Sequence, residues 1–123
     1  MKMLVDFCDI ETEALDNCVE NLHINFHEED KPVQGHSILS RERYNKTMKY
    51  SLVFANILEN ILELEAELLY DSLKTGGYLI LSGLLSPQVK NISNLYSNLS
   101  EKKLKLIDKK IKGEWASVMM IKE

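Results

Sequence analysis

A chain of 123 residues holds one domain with one core and is too short for two domains of ordinary size. With 45% hydrophobic and 28% charged residues it has a globular rather than a disordered composition, and a net charge of −4 argues against a free nucleic-acid binder, which is usually more basic. The apolar runs fall far short of the roughly 20 residues that cross a bilayer, the Met1 to Asp6 start has no secretory pattern, and Cys8 and Cys18 are too few for a disulfide framework, so a cytosolic protein with reduced thiols and no membrane partner is expected.

In chain order, the first predicted strand runs from Met3 to Cys8 and ends in Asp9-Ile10-Glu11. Thr12 can cap the helix that follows, in which Leu15, Cys18, Val19 and Leu22 recur at i, i+3, i+4 and i+7 while Glu13, Asp16, Glu20 and Asn21 face water. Asn25 terminates it. His27 to Pro32 is a polar loop closed by a helix breaker, Val33 to Leu39 contains a short strand, and Arg41 to Lys49 is a charged surface connection. Ser51 to Ala55 is an apolar run that stops at Asn56, which suits a strand buried on both faces, as in parallel sheets flanked by helices.

From Leu58 the period changes: Leu58, Ile61, Leu62, Ala66, Leu69 and Leu73 lie on one helical stripe with Glu59, Glu63 and Glu67 off it. Lys74 and Gly76-Gly77 close that helix, and Tyr78 to Leu81 begins the next strand. A strand, a helix and a strand with short connections make a right-handed crossover, and in such sheets ligands sit beyond the carboxyl ends of the strands, where Asn56 stands. Ser86-Pro87 opens another helix, with Ser86 as its cap and Val89, Ile92, Leu95, Tyr96 and Leu99 as its apolar face. Leu104, Leu106 and Ile107 to Ile111 read as a strand with exposed lysines between buried positions, Lys112-Gly113-Glu114 as a turn, and Trp115 to Ile121 as the antiparallel return. There are no internal repeats.

Few constellations offer chemistry. Asp9 and Glu11, at the end of the first strand and just before a helix, suit acceptance of hydrogen bonds from ribose hydroxyls; they equally suit a pair of helix N-terminal charges, and spacing alone does not separate the two. The Asn56 carboxamide both donates and accepts, although a turn or cap is the commoner use of such a residue. His23 and His27 followed by Glu28, Glu29 and Asp30 read as a helix end running into a solvated loop rather than a metal site, and His36 stands alone. Ser82-Gly83 can line a cleft, or the glycine can serve close backbone packing. The lysines from Lys102 to Lys112 read first as a solvated strand face and, far second, as an RNA-facing or acidic-partner surface. The sequence holds no nucleophilic Ser or Cys motif, phosphate-cradling loop or zinc spacing.

Together, VDFCDIETEALDNCVENLHIN, LVFANILENILELEAELL, GGYLILSGLL and GEWASVMM resemble the ribosomal-protein methyltransferases that modify large-subunit protein number eleven, the PrmA family, over about Leu4 to Lys122. The FANIL segment, the Gly-Gly and Ser-Gly-Leu-Leu segments and GEW are the more specific parts. The resemblance implies a Rossmann-like class I fold that uses S-adenosylmethionine, an α/β sheet with strand order 3-2-1-4-5-7-6, mostly parallel with a C-terminal antiparallel hairpin. It implies Asp9 as the ribose-binding acid, Ile10 beside the adenine, Glu11 as a neighbouring contact, Ser37 near the loop after the third strand where the adenine amine is recognised, Asn56 facing the methionine end of the cofactor and the incoming amine, and Leu58 at the cleft wall.

On that map the chain opens at the second strand: the family's first strand, its Gly-rich GxGxG loop and its substrate-capturing N-terminal domain have no counterpart in the sequence. Loss of the central strand leaves two apolar edges unpaired. The expected function is therefore that of a fragment, residues 1–123 forming one partial methyltransferase domain for lysine or N-terminal amines of a ribosomal protein, inactive alone or active only with an N-terminal piece. A non-catalytic interaction module that self-associates through the open edge, and a Rossmann-like nucleotide binder of different chemistry, are the alternatives.

Overall fold

The computed structural model describes residues 3–9, 11–25, 33–40, 49–99 and 101–123, which fall into two compact units, 1–45 and 46–123. In the first unit, β1 (Met3–Asp9) pairs in parallel with β2 (Val33–Ser40), and α1 (Thr12–Asn25) lies against both strands. Of the predicted stripe Leu15, Cys18 and Leu22 are half-buried while Val19 is 38% exposed, and Asn25 ends the helix with its side-chain amide donating to the Asn21 carbonyl at 2.8 Å. Pairing runs from Leu4↔Gly35 to Asp9↔Ser40. The predicted loop from His27 to Pro32 and most of the connection from Arg41 to Lys49 lie outside the described residues.

The second unit is a four-stranded sheet in the order β3-β4-β6-β5, built from β3 (Tyr50–Asn56), β4 (Leu73–Leu85), β5 (Leu104–Lys112) and β6 (Trp115–Lys122). β3 and β4 are parallel; β6 runs antiparallel to both β4 and β5. One face is covered by α2 (Glu59–Leu64), α3 (Ala66–Ser72) and α4 (Val89–Ser97), whose Leu62, Ala66, Ile92 and Tyr96 pack with Leu79, Leu81, Val118 and Met120 in the core. Asn91 ties α4 to α2 by donating to Glu59 at 3.1 Å and Glu63 at 2.9 Å.

Expectations for four segments are corrected by this unit. The single helix from Leu58 to Leu73 is two, separated at Glu65 (φ −96°, ψ 7°), where the Leu62 carbonyl, which a continuous helix directs at Ala66, is engaged by the buried Tyr96 hydroxyl at 2.7 Å. Leu58, counted on the buried stripe, precedes the helix in extended conformation and is 71% exposed. Helical structure ends at Ser72 rather than at the glycines: Leu73 already pairs with Tyr50, 74–77 bulges out, and regular pairing resumes at Leu52↔Tyr78. The helix end is held instead by lysines. Lys122 donates to the Tyr70 and Leu73 carbonyls at 3.0 Å each and stands 4.0 Å from the Tyr70 ring centre, and Lys49 donates to the Asp71 carbonyl.

Second, β3 is buried on one face only. Val53 and Ala55 turn toward the helices, while Leu52 and Phe54 are 56% and 63% exposed because α2, α3 and α4 all lie on the other side. Third, β5 buries only Leu104; as the outer strand of the sheet it leaves Ile107 and Ile111 exposed with the lysines. Fourth, Ser86 caps nothing. It starts a short 3-10 turn (Ser86–Gln88) whose leading amide, Leu85 N–H, is accepted by the Gln88 side chain at 2.7 Å. The Ser86 N–H and hydroxyl instead reach the Glu114 carbonyl at 2.9 and 3.2 Å, pinning the β5–β6 turn to the end of β4.

Candidate functional site

Both residues singled out at strand ends are the last residues of their strands, Asp9 of β1 and Asn56 of β3. In the first unit the Glu11 N–H donates to Asp9 Oδ1 at 2.9 Å, and the Leu15 N–H to the Glu11 carbonyl at 3.2 Å as α1 begins. Such a turn fixes the Asp9 carboxylate at the carboxyl end of a parallel strand, exposed. Asp9 and Glu11 are thus brought together. Ile10 lies outside the described residues. Ser37 is within β2, opposite Asp6, rather than near the loop beyond it, because the parallel ladder continues for three more residues to Asp9↔Ser40.

In the second unit Asn56 pairs in register with Ser82, and both open on a cleft of about 470 Å³ lined also by Gly83, Lys110, Lys112 and Trp115. Local geometry comes from a bulge. Leu81 pairs with Val118 and Leu84 with Ala116, so Ser82 and Gly83 together face the single residue Ser117. Gly83 takes φ +74°, and a Cβ there would fall inside 3.0 Å of Asn56 Oδ1 and 3.5 Å from its carboxamide carbon. The Asn56 carboxamide is exposed and makes no hydrogen bond among the described residues. Leu58, two residues on, projects from the end of the strand into solvent.

Lys110, Lys112 and Trp115, expected only as parts of the C-terminal hairpin, line the cleft as well. The signal available was the antiparallel return itself: Leu85↔Trp115 pairing brings the turn alongside the end of β4. No group of three or more metal-ligating side chains occurs among the described residues. Nor is any helix among them long and apolar enough to cross a membrane.

A parallel β-α-β unit with an antiparallel hairpin at its outer side, and polar residues at the carboxyl ends of β1 and β3, is the frame of a Rossmann-like methyltransferase. Solved structures of that class share the fold. A ribosomal protein L11 methylase from Lactobacillus delbrueckii subsp. bulgaricus superposes with a TM-score of 0.77 at 19% identity, covering 100% of this chain and 71% of its own. The N-methyltransferase NodS from Bradyrhizobium japonicum WM9, solved in complex with S-adenosyl-L-homocysteine, gives 0.64 at 8% identity, covering 98% of this chain and 78% of its own.

The sequence is more specific than the fold. The family model for ribosomal protein L11 methyltransferase (PrmA) matches residues 4–123, and the chain belongs to that family. The ribosomal protein L11 methyltransferase of Campylobacter concisus is 31% identical over 113 residues, which are 92% of this chain and 37% of that protein. The chain thus spans well under half of the length of this relative.

Proposed function

We propose that residues 1–123 are the C-terminal part of one catalytic domain of an S-adenosylmethionine-dependent protein methyltransferase, acting in the cytosol on lysine or N-terminal amines of a large-subunit ribosomal protein. Strand order is the observation that carries this reading. Removing the first strand from the family order 3-2-1-4-5-7-6 leaves 3-2 and 4-5-7-6, which correspond strand for strand to β2-β1 and β3-β4-β6-β5. β1 and β3 are then the two strands that receive the central one, supplied by a separate N-terminal piece or by a longer chain.

The residues present fit the cofactor. Asp9 ends a parallel strand, and because the Glu11 amide holds Oδ1, Oδ2 is left to accept a ribose hydroxyl. Glu11 offers a second carboxylate beside it, and the family resemblance assigns Ile10 to the adenine; Ser37, inside β2 opposite Asp6, does not stand at the loop where the adenine amine would be recognised. When bound, S-adenosylmethionine supplies an electrophilic methyl group on a sulfonium. The work of this chain is positioning and exclusion of water: the Asn56 carboxamide oxygen accepts an N–H of the incoming neutral amine and directs its lone pair. Holding only part of the cleft, the chain is inactive alone and has neither nucleic acid nor membrane as partner.

Calorimetric titration of the 123-residue chain with S-adenosylmethionine is the test. Binding weaker than ~1 mM, or about 4 kcal/mol, is expected, tightening by orders of magnitude when a segment carrying the central strand and Gly-rich loop is supplied. Micromolar binding by the chain alone would overturn the need for that segment. The exposed Leu52 and Phe54 favour a second reading, a non-catalytic module that uses this sheet for self-association. Failure to bind the cofactor even after the segment is supplied selects it.

A further inference from the structure

We propose that Gly83 is a positioning residue, whose missing side chain sets the direction of the Asn56 carboxamide. The inference deepens the proposed function and rests on its assignment of Asn56 to the incoming amine.

Three observations converge on one point of β4. The bulge places an extra residue opposite Ser117 at the level where β3 ends. Bulges of this kind turn the local backbone and re-aim neighbouring side chains. The extra turn is taken by a glycine in the left-handed region, φ +74°, where an L side chain is strained. The space that a Cβ would fill there is occupied by the Asn56 carboxamide oxygen. The carboxamide has no hydrogen-bond partner among the described residues, so its direction depends on the space around it: the glycine at 83 on one side and the open cleft on the other.

A polar side chain without a hydrogen bond is free to rotate unless packing excludes the other rotamers. Glycine at 83 leaves room for the observed Asn56 rotamer, which a side chain there would exclude. The carboxamide is thereby aimed and left unpaired for a ligand. Any residue larger than glycine at 83 would displace it, and a misplacement of about 1 Å in a positioning group can cost about 100-fold in rate. Gly76 provides the control. It too has positive φ, +78°, but a Cβ there meets nothing within 4 Å, so Gly76→Ala carries the backbone strain without the displacement.

The test compares Gly83→Ala and Gly76→Ala in the 123-residue chain by the side-chain amide resonances and χ1 couplings of Asn56. The proposal expects a new Asn56 rotamer in Gly83→Ala and none in Gly76→Ala; an unchanged Asn56 signature in folded Gly83→Ala would overturn it. Should Gly83→Ala unfold, Asn56→Ala is added to relieve the overlap. The double variant is then expected to recover the melting temperature of Gly76→Ala, whereas a double variant that remains unfolded overturns the proposal. In the protein with its cleft completed, Gly83→Ala should lower kcat about 100-fold with little change in the cofactor KM, and should add nothing in an Asn56→Ala background. A moved carboxamide with unchanged kcat would leave Gly83 as the residue that aims Asn56 and remove Asn56 from the reaction.

Discussion

Along β3 and β4, neighbouring residues of similar apolar character meet opposite fates. Leu79 and Leu81 are fully buried beneath α2, α3 and α4 with their register partners Val53 and Ala55 on the same face, while Leu52 and Phe54 of β3 with Tyr78 of β4, on the other face, are exposed. On β6 the same split recurs: Val118 and Met120 are buried, Met119 and Ile121 only partly. Strand periodicity explains the alternation but not why both faces are apolar. That pattern belongs to sheets covered on both sides, so the sequence of β3 and β4 is written for a second cover that the helices of this unit do not provide.

The comparison is broken most directly from the covered side. Ile92, on α4, has no solvent exposure and packs in the core with Leu81 and Val118; Ile92→Ala is expected to cost about 2–5 kcal/mol, read as a lowered urea midpoint at unchanged m-value. A smaller effect follows from Tyr96→Phe, which deletes the hydroxyl donated to the Leu62 carbonyl at 2.7 Å and costs about 1–2 kcal/mol. Burial, and next the charge of Glu65, push the Tyr96 hydroxyl's pKa well above its ordinary value of 10.0. The folded state then keeps a proton that the unfolded chain releases, so this contribution is fully present below pH 10.0 and is lost as pH rises from there toward the folded value. Urea midpoints at about pH 9 and about pH 11 should therefore fall further in the wild type than in Tyr96→Phe. Lys102, raised by its hydrogen bond to Asp71, and Lys122, lowered by desolvation, are common to both proteins and cancel in that difference.

Elements with a clear period were legible from sequence, and what lay between them was not. The α1 stripe, the crossover from β3 to β4 and the β5–β6 hairpin follow from apolar spacing and turn residues, and the strand order in each sheet matches the one implied by FANIL, SGLL and GEW. The break at Glu65 was hidden because the apolar stripe runs through it with no helix breaker, and the Tyr96 that engages the Leu62 carbonyl there is distant in sequence. Likewise the Gly76-Gly77 pair looked like a helix cap, yet Leu73 is drawn into pairing with Tyr50 before the glycines are reached. The place of Asn56 at the end of β3 was legible from the apolar run before it. Its relation to Gly83 was not, because a bulge depends on the register of β4 against β6, which no local pattern encodes.

The smallest expected effect sharpens the comparison most. Phe54 is 63% exposed although it pairs in register with Ile80 on an apolar strand. Phe54→Ser in the 123-residue chain should therefore change stability by no more than about 0.5 kcal/mol, as for other surface substitutions, while reducing any self-association measured by sedimentation. If a completing segment also lays a helix over this face, the same substitution should cost about 3 kcal/mol, the scale of removing a large aromatic from a packed core. The difference between the two measurements reads the cover of this face directly, because the substitution is the same and only the partner changes. A loss in the chain alone as large as that of Ile92→Ala would mean that Phe54 is already buried in solution, and the two faces of the sheet would no longer differ.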